Sequence, residues 1–191
     1  MALEWQRKHL GDQNETTAST EQALGVLFIQ MRRFDEAREH LASSLQAKEQ
    51  LFGASHPLVF RTTHQIALAF NEEGRFQEAL DLLEEALLRC EHILPEDHPD
   101  RLGMNSALAH SLVELGNYER ALKLREANTK IREKLYGPSD ERVVTERHNL
   151  AFCALKVGQY SRALGEFDLV VRERTASLGA DHPLTLTSLV M

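Results

Sequence analysis

Apolar residues recur at helical spacing in paired stripes. Thr63, Ile66, Ala67 and Phe70 stand at i, i+3, i+4 and i+7, one face of an amphipathic helix. Glu72-Glu73-Gly74-Arg75 interrupts them, and Phe76, Ala79, Leu80, Leu83, Ala86 and Leu87 then form a second stripe. Two helices joined at a glycine that suits a tight turn and a helix C-cap make a hairpin. The hairpin returns every 42 residues, with Gly74, Gly116 and Gly158 at the turn. An aromatic follows two residues later at Phe76, Tyr118 and Tyr160, then the pairs Ala79-Leu80, Ala121-Leu122 and Ala163-Leu164. Ala67, Ala109 and Ala151 share the interval, as do His56-Pro57, His98-Pro99 and, two intervals on, His182-Pro183.

One interval upstream, Phe34 and Ala37 occupy the same register, and Leu10-Gly11 matches Phe52-Gly53, Tyr136-Gly137 and Leu178-Gly179. The register predicts the end of a preceding helix at 1–11, repeats at 12–53, 54–95, 96–137 and 138–179, and the start of a fifth at 180–191, all in one domain. Both ends look cut from a longer array. A hairpin of this size cannot bury its stripe alone, so successive hairpins stack around a shared core. The expected fold is all-α, a right-handed superhelical solenoid of antiparallel helical hairpins without strands. Proline after each histidine suits the first helical position, with Ser55, Asp97 and Asp181 as cap oxygens.

Three departures stand out. Arg32-Arg33 takes the place of the first turn glycine, and Gly25 that of the packing alanine. In the third repeat Arg125 and Asn128 occupy stripe positions held by Leu83 and Ala86, or Phe167 and Val170, in its neighbours. The expected outcome is a looser joint with polar tips in solvent; the alternative is a polar cleft or a subunit contact.

These residues resemble the tetratricopeptide repeat, in the 42-residue variety of kinesin light chains, nephrocystin-like proteins and the C-terminal arrays of NB-ARC signalling proteins. The fourth repeat carries the resemblance best, in His148-Asn149-Leu150-Ala151, Gly158-Gln159-Tyr160-Ser161-Arg162-Ala163-Leu164 and Leu178-Gly179-Ala180-Asp181-His182-Pro183-Leu184-Thr185-Leu186. It extends from about Leu10 to the end. The resemblance implies that the first helix of each hairpin lines a concave groove. In the second repeat the groove residues would be Arg61, His64, Leu68, Asn71 and Glu72. The 42-residue step adds Ser19, Gln22, Val26, Ile29 and Gln30 in the first repeat, and Gly103, Ser106, His110, Val113 and Glu114 in the third. In the fourth it adds Thr145, His148, Phe152, Leu155 and Lys156, with Asn149 beside them. The carboxylate clamp of chaperone-tail-binding relatives is missing: Val26, Leu68, His110 and Phe152 stand where its asparagines would be. Asn149 alone keeps the asparagine that kinesin light chains use, with Gln65 and Ala107 in the other copies, which does not support their ligand class.

Composition narrows the function. The chain has 191 residues, 27% charged, with a formal net charge of -7, so the positive field that gathers nucleic acid or anionic membrane is missing. No 18-residue apolar run or signal sequence is present, and Cys90 and Cys153 form no metal or disulfide pattern. A cytoplasmic setting fits. The turn histidines His56, His98 and His182 lie on successive layers of order 10 Å apart, too far to share an ion, whereas His64, His110 and His148 would face the groove. No cofactor or metal is expected. Phosphate-cradling and nucleophile motifs are absent, which points away from an enzyme.

Three readings stay open. The first is an adaptor or scaffold that binds a peptide or protein segment in the groove. The second is a sensor array of a larger NB-ARC-type signalling protein. The third is a homodimer through exposed solenoid ends, built around Val170, Leu186 or Leu189.

Overall fold

The computed structural model describes residues 2–189, without the side chain of Leu189. Every regular element among them is helical: α1 (Ala2–Leu10), α2 (Glu15–Gln30), α3 (Phe34–Phe52), α4 (Pro57–Glu73), α5 (Phe76–Cys90), α6 (Pro99–Glu114), α7 (Tyr118–Tyr136), α8 (Glu141–Lys156), α9 (Tyr160–Leu178) and α10 (Pro183–Leu189). The chain divides into two compact units, residues 1–111 and 112–191. Within the first, α2 pairs with α3 and α4 with α5, while α3 and α2 both touch α4. Within the second, α8 pairs with α9, α7 packs on α8, and α10 on α9. Leu41, Phe60, Leu83, Leu102 and Met104 are sealed in the core of the first unit, and Val143, Val144 and Val170 in that of the second.

Helix starts follow one rule. At residues 14, 56, 98, 140 and 182, one repeat apart, a side-chain acceptor takes the backbone N–H two residues on. Asn14 Oδ1 accepts from Thr16 (2.9 Å), His56 Nδ1 from Leu58 (3.3 Å), His98 Nδ1 from Asp100 (3.2 Å), Asp140 Oδ1 from Arg142 (2.9 Å) and His182 Nδ1 from Leu184 (3.2 Å). This corrects the expectation that Ser55, Asp97 and Asp181 supply the cap. The histidine ring lies one residue before proline, and its unprotonated nitrogen reaches the second helical amide.

The turns show what the missing glycine costs. Gly74, Gly116 and Gly158 adopt φ of 85°, 77° and 81°, and Arg32, at the same register position, adopts 56°, the one positive φ on a non-glycine residue among the described residues. Its guanidinium lies over the Phe34 ring, 5.3 Å from the centroid. The first hairpin is tight for the opposite reason. A Cβ on Gly25 would come within 2.5 Å of Leu41 Cγ, so Leu41 fills the space that Ala67 and its equivalents take elsewhere.

Helix α5 is shorter than α3, α7 and α9, which end at Gly53, Gly137 and Gly179 with φ of 85°, 84° and 95°. Pro95 holds that register position and cannot take such a φ. The chain after Cys90 therefore turns earlier, and Arg101 Nη1 donates to the carbonyls of Glu91 (3.4 Å) and Leu94 (3.0 Å).

Arg125 and Asn128 do not reach solvent: they are 5% and 1% exposed. Arg125 Nη1 donates to Glu146 Oε1 at 2.9 Å, joining α7 to α8, and Arg132 Nε lies 4.0 Å from Glu146 Oε2. The expected loose joint is a buried ion pair, because Glu146 supplies the charge that a stripe position on α7 alone does not reveal. Stranding one partner of a buried pair is far costlier than exposing a polar tip.

Two stability measurements follow. Arg125→Ala lowers the unfolding free energy in urea by about 3 kcal/mol, and Arg32→Gly raises it by about 0.5–1 kcal/mol by removing left-handed strain. An Arg125→Ala protein as stable as the parent contradicts the buried pair.

Candidate functional site

The expected groove residues lie on the first helices of the hairpins. In the first unit, Arg61, His64 and Leu68 lie along one side of α4, and His110 stands on α6. Arg61 is exposed, with its guanidinium on Asp100, Nε and Nη2 each 3.1 Å from a carboxylate oxygen. Leu68 is 37% exposed. His110 is exposed, with its ring edge-on to Phe76 at 6.0 Å. Between α2 and α4, Gln22 Nε2 donates to Gln65 Oε1 at 2.7 Å. Val26, one repeat before Leu68, is half-buried on α2.

His64 is half-buried because Gly103 leaves room for it. A Cβ at 103 would lie 2.8 Å from His64 Cε1, so α4 and α6 meet through an imidazole pressed on a glycine. Burial pulls its pKa below the ordinary imidazole value, with the charge of Asp100 opposing.

Asn71, expected on the groove, is instead buried. Its Nδ2 donates to the Ala107 carbonyl at 3.2 Å, and its Oδ1 accepts from Ser111 Oγ at 2.7 Å. The residue sits near the end of α4, where its side chain turns toward α6. Both ends of its amide are thereby engaged in holding the two helices.

In the second unit the expected residues lie on α8. His148, Asn149 and Phe152 are half-buried and Lys156 is exposed. Lys156 Nζ lies over the Phe152 ring, 5.1 Å from its centroid. His148 meets Phe167 edge-on at 5.5 Å and lies 3.5 Å from Ser188 Oγ. Burial lowers its pKa, and the Arg174 charge lowers it further. Val113 is half-buried in the α6 end that belongs to this unit.

Two cavities lie elsewhere. One of about 550 Å³ is bounded by α1, the 11–14 link, α2 and α3, and is polar, with Arg7, Glu21 and Gln46 in its wall. Another of about 230 Å³ lies between α9, the end of α8 and Ser188 of α10, against the exposed Tyr160 and Leu164. Of the expected groove residues only Leu155 lines either of them, in the wall of the smaller one. Val170 is fully buried and Leu186 is 46% exposed, while the Leu189 side chain lies outside the described residues. Cys90 and Cys153 are free and buried, and burial pushes both thiols up.

Residue periodicity misses Lys48. Lys48 belongs to a second helix, α3, yet its ammonium reaches the first helices: Nζ donates to Gln22 Oε1 and, at 2.9 Å, to Thr62 Oγ1. A lysine on a mostly apolar face was the available signal, one that the first-helix rule passes over.

The tetratricopeptide repeat family matches residues 16–92. No curated protein matches the chain. Among solved structures, the chain is similar to a Podosopora anserina protein described as a kinesin light chain with nearly identical TPR-like repeats: 25% identity, 92% of this chain and 83% of that one, TM-score 0.79. BtubC (BKLC) from P. vanneervenii shares 20% identity over 90% of this chain and 62% of its own, with a TM-score of 0.57. A Rap protein complexed with Competence and Sporulation Factor shares the fold at 13% identity, over 92% of this chain and 52% of its own, with a TM-score of 0.70. Residues 16–92 thus match the tetratricopeptide repeat, and the chain's stacked hairpins share the fold of these structures, which supports a protein-interaction repeat module as its class. Its repeats are of the kinesin-light-chain-like type.

The His64 environment gives a pH dependence. Its folded pKa lies below the unfolded value, about 6.5 for a free imidazole, so the unfolded chain binds the extra proton. His64 therefore adds nothing to the slope above that pH and destabilises the fold as pH falls below it. The urea midpoint of the parent should drop more between about pH 7.5 and about pH 5.5 than that of His64→Gln. Equal drops contradict a desolvated His64.

Proposed function

We propose that the chain holds a peptide or protein segment against its first-helix faces, as an adaptor or scaffold in the cytoplasm, and that it is not an enzyme. The observation that carries this is the α2/α4 face. Val26 on α2 and Leu68 on α4 present apolar surface one turn beyond the hydrogen-bonded Gln22 and Gln65, and Arg61 and Ser19 are exposed on the same two helices. Apolar anchors among side-chain amides and a guanidinium suit an extended or helical segment with both apolar and polar groups. On α8, Phe152 beneath Lys156 offers a similar pairing of ring and charge. The Rap protein structure holds a factor named for competence and sporulation, and a bound partner on a related fold is consistent with this use. The free, buried Cys90 and Cys153 support a reducing compartment. No helix among the described residues is long and apolar enough to cross a membrane.

The test is a peptide array probed with the purified chain and with Leu68→Glu and Phe152→Ala, the helical content of each checked by circular dichroism. Binding weakened by roughly tenfold in one or both variants, as for loss of a central apolar anchor, supports the proposal. Peptides bound with undiminished affinity by both variants contradict it.

A further inference from the structure

Lys48 is the largest side chain sealed inside the first unit, 1% exposed, and it carries a charge. Its ammonium is solvated by two neutral oxygens, Gln22 Oε1 and Thr62 Oγ1. Among the described residues no carboxylate comes within ion-pairing distance. Burial pulls its pKa down to about 8, the Arg61 charge adds to the effect, and the Glu15 carboxylate opposes it from further off. At neutral pH the group is still protonated.

The 42-residue register shows how unusual this is. The same position holds Arg132 and Arg174 in the third and fourth repeats. There the chain supplies its own anion: Glu146 lies 4.0 Å from Arg132, and Glu141 lies 3.1 Å from Arg174. The counterpart of Glu146 is Thr62, a neutral acceptor. Lys48 is thus a buried cation given hydrogen-bond acceptors without a counter-charge, and with three N–H donors it has one more than its two partners use. A desolvated cation in this condition gains more from an arriving anion than a solvated one does.

The ammonium lies directly beneath the proposed binding face. Gln22, which covers it, is half-buried on α2 and on its other side donates to the neutral amide of Gln65 on α4. Rotation of Gln22 opens Lys48 toward the face where Ser19 and Arg61 are exposed. We infer that a carboxylate of the bound segment, an aspartate or glutamate side chain, takes the place of Gln22 Oε1 on the Lys48 ammonium between α2 and α4. The inference rests on the α2/α4 face being the binding surface, and it specifies the ligand as acidic at one point opposite Lys48.

The experiment uses an N-acetylated, C-amidated tetra-aspartate peptide, with tetra-asparagine as its neutral match. Lysine side-chain NMR follows Lys48 in the full chain. The tetra-aspartate peptide should raise the Lys48 titration midpoint and bind on the order of tenfold more weakly at about pH 9.5 than at about pH 7, and Lys48→Met should lose that binding. A second variant supplies the anion from within: Gln22→Glu should raise the melting temperature and no longer take up the peptide. An unmoved Lys48 titration, or a Gln22→Glu protein less stable than the parent, overturns the inference. If Lys48→Met fails to fold, the Gln22→Glu result decides. Tetra-aspartate binding that Leu68→Glu abolishes and Lys48→Met leaves at full strength overturns the Lys48 assignment alone, while a face that takes no peptide removes the surface on which it rests.

Discussion

The apolar stripe of a helical hairpin is wider than its own partner helix can cover, and the uncovered part must be buried by the next hairpin. The rest of the structure depends on that joint, where the second helix of one repeat lies on the first helix of the following one. Its chemistry changes along the chain while the register stays fixed. Lys48 meets Thr62 in the first joint, Arg132 approaches Glu146 in the third, and Arg174 donates to Ser188 at 2.9 Å in the fourth. Cys90 and Met104, both fully buried, hold the same two positions in the second. Arg132 is thus answered by a carboxylate from the next repeat, whereas Lys48 receives only neutral oxygens.

Much of this was legible in the sequence because a period of 42 residues repeats every local signal. The turn glycines, the His-Pro helix starts and the paired stripes each fix a helix end or face, and the helices form where those signals place them. The expected groove stripe fared unevenly, since Asn71 is buried. Arg61, Leu68, His110 and Lys156 are exposed on first helices.

Periodicity assigns a face, and what escaped it lies across a joint. Asn71 has the spacing of a groove residue, but its amide spans to Ala107 and Ser111, thirty-six and forty residues away in sequence. Arg125 looks like a solvated tip until Glu146 is brought against it. The helix caps were placed correctly and given to the wrong atoms, since histidine is rarely considered an acceptor until its ring nitrogen is seen opposite an amide. Lys48 was missed because a second-helix residue is excluded from the groove by rule, whereas a lysine side chain is long enough to pass beneath the neighbouring helix.

The central claim is that hairpins hold together through their joints and do not stand alone. Native-state amide hydrogen exchange across the first unit tests it most directly. The account predicts that buried amides of the hairpin α2–α3 and of the hairpin α4–α5 open together, with one free energy and one denaturant dependence. Separate opening of the two hairpins, each with its own smaller denaturant dependence, would contradict it.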